Sequence, residues 1–164
     1  MSEQKTLIVN TGPLIALAAA TGTWEILRTI PWRIIVPIQV IQELSAGKIG
    51  SPGHDLIGHS PWIEVHAEIS IPVYLQSSLD TGEAAVIALA LEKGFKNVAI
   101  DERAGRATAR ACGLQVTGSL GILLLARQLG AEIQMTTCIE RIIAAGIWIS
   151  PALAREVIAL ERQY

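Results

Sequence analysis

The chain has 164 residues, 51% of them hydrophobic and 17% charged, with a formal net charge of −2. That length suits one domain with a real core and is short for two. The near-neutral balance excludes a global basic field, so any nucleic-acid binding must rest on a local patch or on metal ions.

The apolar share is mostly Ala, Ile, Leu and Val, which suits parallel strands covered by helices on both faces. The first such run, Leu7-Ile8-Val9, stops at Asn10. Thr11-Gly12-Pro13 breaks the pattern, and an apolar helical segment follows from Leu14 to Ala20. This predicts strand, tight turn and helix, with Thr11 as N-cap and Pro13 near the first helical position. Thr23 is the expected cap of a short helix over 24–27. Arg33-Ile34-Ile35-Val36 reads as a second strand closed by Pro37, and a helix over 38–46 follows, with Glu43 on the flank of its apolar face and Gly47 at C′. Trp62-Ile63-Glu64-Val65 reads as a third strand at a sheet edge, because its alternation leaves Glu64 exposed.

Leu79-Asp80-Thr81-Gly82-Glu83 opens the strongest helix, apolar on every side over 84–91 and so expected to be buried, with Gly94 ending it. Residues 97–100 form a strand that stops at Asp101. An Ala- and Arg-rich helix over 102–111 ends at Gly113. Leu114-Gln115-Val116 is a last short strand, followed by the Thr117-Gly118-Ser119 turn and a helix over 120–129. Two further helices are expected near 136–145 and 151–162, packing on the core or on another subunit. Strand and helix alternate without linker or repeat, which predicts one three-layer α/β domain with a parallel sheet.

The N-terminal residues lack the apolar segment of a signal peptide. The longest apolar run is far too short to span a bilayer. Cys112 and Cys138 lack metal-ligand spacing and read as free thiols. A soluble cytoplasmic protein with no membrane association is the expectation.

In a parallel sheet, ligands bind outside the carboxyl ends of the strands. Asn10, Asp101 and the start of the Glu83 helix therefore face one rim, with Glu43 near it. Carboxylates gathered in one cleft repel each other unless a divalent cation neutralises them, and oxygen ligands suit Mg²⁺ or Mn²⁺. Each acid also has a plainer role. Asp80 to Glu83 fits a capping box, Asp101 can cap the next helix, and a lone Glu43 is usually a solvated flank. His54, His59 and His66 share no helical spacing and read as surface residues. Arg103, Arg106 and Arg110 fall on one helix face, which serves a phosphate-binding stripe or a solvated face equally well.

Four stretches together are similar to the PIN-domain family, over nearly all of the chain up to about Gly130. They are Ile8 to Ile15, Pro37 to Gly47 with Glu43 inside it, Leu79 to Ala84 with Glu83, and Val98 to Glu102 followed by Arg106. The Thr117-Gly118-Ser119-Leu120-Gly121 turn resembles that of a bacterial and archaeal group of PIN-like proteins. This group is related to the toxin ribonucleases of toxin–antitoxin pairs. The resemblance implies a three-layer fold with about five parallel strands and metal-dependent hydrolysis of RNA. Glu43, Glu83 and Asp101 would hold Mg²⁺ or Mn²⁺, and Asn10 would complete the catalytic set. Thr11 and Ser119 would position water or phosphate, and the stripe of Arg103, Arg106 and Arg110, read from its helix spacing, would contact the RNA. The implied partners are RNA, an antitoxin protein if the chain is such a toxin, and a second copy of the chain. The family usually has Asp where Asn10 stands, and an amide carries no charge and accepts no proton as a carboxylate does. The alternative is a non-catalytic PIN-like module that binds RNA or protein. A nucleotide-binding domain is disfavoured, since no strand is followed by G-x-G-x-x-G or a P-loop.

Overall fold

Among the described residues, five strands form the sheet, and they differ in burial as their positions in it require. Thr6–Val9 (β1) is buried at every residue, and Arg33–Pro37 (β2) at all but its first. Asn97–Ala99 (β4) is buried at its last two residues. Glu64–His66 (β3) and Gln115–Thr117 (β5) are mostly open to solvent. The sheet order is β3-β2-β1-β4-β5 with every pairing parallel, so the continuous aliphatic runs are central and the polar-rich strands are edges. Ile8 pairs with Ile35 on one side and with Val98 on the other. These coordinates are a computed structural model that describes residues 3–164.

Among the described residues, eight α-helices connect and cover the strands: Thr11–Thr21 (α1), Ile38–Ala46 (α2), Val73–Gln76 (α3), Thr81–Lys93 (α4), Arg103–Ala111 (α5), Ser119–Gln128 (α6), Met135–Ala144 (α7) and Pro151–Glu161 (α8). The chain steps from β1 to β2 in one direction and from β3 to β4 in the other. Right-handed crossovers therefore put α1 and α4 on opposite faces of the sheet. α4 lies across β1, β2 and β4, and all residues from Gly82 to Ala90 are buried. α1 packs against α6 and α7, and α8 lies on α6 and α7. Met135, Cys138, Ile139 and Ile142 of α7 join the same core. Truncating a fully buried side chain such as Ile87 or Leu89 to Ala would cost about 2–5 kcal/mol.

Several local expectations are corrected. Asn10, not Thr11, is the N-cap of α1, and Pro13 is the third residue of the helix. Gly47 ends α2 in extended conformation at φ −66°, so no left-handed turn is needed there. Thr23 Oγ1 does accept the Glu25 N–H (3.3 Å), but it introduces a 3-10 segment, Glu25–Thr29. The third strand starts at Glu64, two residues late, and it is an edge strand. α3 and the short 3-10 segment His54–Leu56 carry no hydrophobic period that would announce them.

Candidate metal and nucleic-acid site at the carboxyl rim

The order β2-β1-β4 makes the gap between β1 and β4 the point where the chain's direction of travel reverses, and open α/β sheets bind ligands above the strand ends at such a point. Asn10 stands at the end of β1. Its backbone N–H donates to Ala99 O (3.0 Å), which ties the ends of the two strands together. Its side chain is 3% exposed and does not cap α1. Asn10 Oδ1 is buried with no hydrogen-bond partner. An amide oxygen left so costs about 1–3 kcal/mol.

Glu43 reaches this rim from α2. Its Oε2 accepts the Thr11 hydroxyl at 2.5 Å, and its Oε1 accepts the Gly82 N–H at 2.8 Å. One carboxylate thus joins the first turns of α1 and α4, and helix N-termini favour negative charge. A Cβ on Gly82 would lie 2.5 Å from Glu43 Oε2 and 2.9 Å from Asn10 Oδ1, so the two oxygens crowd one small space that only glycine leaves open.

Glu83 is the next residue and is 4% exposed. The expected capping box is present: Asp80 Oδ1 accepts the Glu83 N–H (2.8 Å) and Glu83 Oε2 accepts the Asp80 N–H (3.3 Å). Burial pushes the Glu83 carboxyl above the usual carboxylate range. Repulsion from Asp80, Glu102 and Glu43 adds to this, against the Asp80 backbone hydrogen bond. The capping role and the rim position coexist. Glu83 also abuts Gly105 of α5, where a Cβ would lie 3.0 Å from its carboxyl carbon.

Asp101 follows β4 by two residues. It does not cap α5, whose N-cap is Glu102. Instead its Oδ1 accepts the Ser119 N–H at 2.7 Å, at the start of α6. Burial raises the Asp101 carboxyl, while the Ser119 N–H and hydroxyl and the Arg106 guanidinium oppose the shift. Gly118 makes room for it: a Cβ there would lie 2.8 Å from Asp101 Oδ1 and 3.0 Å from Arg106 Nη1, whereas one on Gly12 would meet Asp101 only at ordinary contact distance. Arg106 is half-buried and donates to Ile100 O (2.9 Å), whereas Arg103 and Arg110 are exposed. The arginine stripe therefore splits, with one residue in the rim and two in solvent.

The rim brings Asn10, Glu43 and Glu83 together, with Asp101 flanking them across Gly12. Sequence reasoning passed over the glycines that line it. Their signal was present: Gly within a helix costs up to about 1 kcal/mol relative to Ala, so Gly82 and Gly105 mark close approach.

A divalent cation would find only hard oxygen donors here, and Asn10 Oδ1 is a buried donor atom without a partner. In kind, the residues fit Mg²⁺ or Mn²⁺. Their arrangement is less complete. Among the described residues, no three of His, Cys, Asp or Glu are grouped to hold a metal ion. Both Glu43 oxygens and Asp101 Oδ1 also accept protein hydrogen bonds. The three histidines join no such group either.

Comparison with known proteins supplies the family. A family model described as DUF3368, a PIN domain, matches residues 6–162. The chain belongs to the PIN-domain family. The expected three-layer fold is thus the fold found, and family membership extends past Gly130 through both C-terminal helices of this PIN domain. One similar solved structure is a domain of a functionally unknown protein from Methanocaldococcus jannaschii, at 19% identity and a TM-score of 0.47, covering 70% of this chain and 90% of that one. No curated protein matches this sequence.

Proposed function

We propose that this PIN domain is a metal-dependent ribonuclease that hydrolyses phosphodiester bonds of RNA. The observation that carries the reading is the unpartnered Asn10 Oδ1, buried beside Glu43 at the carboxyl rim. Asn10, Glu43, Glu83 and Asp101 form the catalytic set in this reading. Glu43, Glu83 and Asp101 would hold Mg²⁺ or Mn²⁺, which when bound supplies Lewis-acid polarisation of the phosphate and a more acidic water. Thr11 orients Glu43 through its hydroxyl, and Ser119 orients Asp101 through its backbone N–H. Arg106 offsets the charge of Asp101, and Arg103 and Arg110 offer exposed cations to the RNA backbone. Activity is reduced by Asn10, which contributes an oxygen but no charge.

The same reading makes the protein cytoplasmic, as the toxin of a toxin–antitoxin pair with an antitoxin protein as partner and a second copy of the chain as a further one. No helix among the described residues is long and apolar enough to cross a membrane.

One observation favours a second reading, a PIN-like module that binds RNA or protein without cleaving it. The Glu43 carboxylate is already bound by Thr11 and Gly82, as it would be if it served only to join helices. Incubation of single-stranded RNA with Mn²⁺ decides between them. Cleavage by the wild type that Asp101→Asn and Glu83→Gln abolish is the expected result. RNA left intact by the wild type, yet bound by it, would overturn the ribonuclease reading in favour of the module.

A further inference from the structure

The opposite rim, where the strands begin, carries a different chemistry. The chain has four Trp and one Phe. Trp32, Trp62 and Phe95 stand just before β2, β3 and β4. Each has a cation over its ring. Lys5 Nζ lies 5.2 Å from the Trp32 centroid, the Arg28 guanidinium 5.8 Å from Trp62, and the Arg33 guanidinium 6.0 Å from Phe95. All three rings are partly buried against the core and partly open, and with a cation beside each they form a patterned stretch of the rim.

That surface is concave. A cleft of about 330 Å³ lies among Trp32, Trp62, Arg28 and Arg33. A second, of about 260 Å³, lies among Phe95, Lys93 and His66. Both are walled by Arg33 and Glu64, so they are adjacent cups on either side of one ion pair. The first is near the lower end of the range of small-ligand pockets, large enough for a planar base.

The cations are not locked away. Arg33 donates to both Glu64 oxygens (2.8 and 3.0 Å) and Arg28 to Glu25 (3.2 Å), but all four side chains are about half exposed. The single-contact Arg28–Glu25 pair holds weakly and leaves Arg28 open to an incoming phosphate, whereas the bidentate fork of Arg33 on Glu64 is the firmer of the two. Lys5 and Lys93 have no carboxylate partner within salt-bridge distance among the described residues. Partly open rings beside solvent-exposed cations suit single-stranded nucleic acid: bases stack on the rings and the backbone follows the charges.

We propose that this amino-terminal rim is a second RNA-binding surface, stacking bases on Trp32 and Trp62 and meeting phosphates with Arg28 and Arg33. It rests on the ribonuclease reading only for the choice of RNA as ligand. Its test reads binding alone, in chelator, so that no metal at the carboxyl rim contributes.

The measurement is fluorescence anisotropy of a labelled short single-stranded RNA. Trp62→Ala with Arg28→Ala is expected to weaken binding about tenfold. Arg28→Ala alone should reduce the salt slope by about one phosphate contact. Trp62→Phe keeps a stacking face and should restore most of the affinity. It also controls for folding, together with the melting temperature. Equal binding by the wild type and the double variant would overturn the proposal. So would Trp62→Phe binding no better than Trp62→Ala at equal stability. Competition by adenosine monophosphate as strong as by unlabelled RNA would replace the strand with a free nucleotide. An Asp101→Asn protein that still binds RNA through Trp62, in a chain whose wild type never cleaves, would sink the ribonuclease reading and leave this surface standing.

Discussion

Thr11 donates its hydroxyl hydrogen to Glu43 Oε2 at 2.5 Å across 32 residues of sequence, and this bond fixes one carboxylate of the rim. A hydrogen bond to a charged group contributes about 1.5–3 kcal/mol. Thr11→Val is therefore expected to lower stability by roughly that amount, and Thr11→Ser to keep most of it. Chemical denaturation reads both. A valine variant as stable as the wild type would mean that Glu43 is held well enough by Gly82 alone.

Asn10→Asp tests whether the missing charge matters. The added carboxylate would face Glu43 and Glu83, so the metal-free protein should melt lower than the wild type. Mn²⁺ should restore the difference, because a ligand bound only by the folded state adds stability. RNA cleavage should rise in parallel. A variant with no response to Mn²⁺ and no cleavage would favour the binding module.

Gly82 bears on the same space from the other side. Gly82→Ala would gain helix propensity, yet its Cβ would meet Glu43 Oε2 at 2.5 Å. Crowding of this kind costs about 1–3 kcal/mol, more than the propensity gain returns. The variant should be less stable and should not respond to Mn²⁺. Higher stability than the wild type would mean that Glu43 swings away freely.

Stability should also depend on pH through Glu83 and Asp101. Both carboxyls are raised above their ordinary values, chiefly by burial. A raised folded-state value means that the folded protein holds more protons than the unfolded chain in the window between the two. This contribution is complete below the unfolded values of about 4 and is lost as pH rises through the raised folded ones. Melting temperature should therefore increase as the pH is lowered through the raised folded-state values toward about 4, and Glu83→Gln should flatten that slope. Glutamine keeps the capping-box acceptor, so the cap itself survives. An unchanged slope would remove Glu83 as a source of the effect.

The parts of the molecule legible in the sequence are those written in local pattern. The aliphatic runs at Leu7 and Val98 end at a polar residue and the one at Ile34 ends at Pro37, and each is a strand. The Asp80–Glu83 box opens a helix as its spacing predicted. What the pattern does not hold is partnership at a distance. Asp101 has the composition of a helix cap, but Ser119 claims it from another helix. Thr11 has the composition of a cap and is a hydroxyl donor to Glu43 instead. Arg106 is indistinguishable from Arg103 and Arg110 by spacing, and only the fold half-buries it beside Asp101. Such links depend on which helix ends meet at the rim, and that follows from strand order.

The two rims differ in more than chemistry. β1 has four residues, so the sheet separates them by only about 13 Å. Stacked nucleotides advance about 3.4 Å each, so a strand running straight between the rims would need about four of them, and one following the surface more. An RNA that engages the tryptophans and reaches Asn10 at once must exceed that length. If both rims bind RNA as proposed, the spacing acts as a ruler: fragments below this threshold would lose one of the two surfaces, and with it the advantage of being held at both ends.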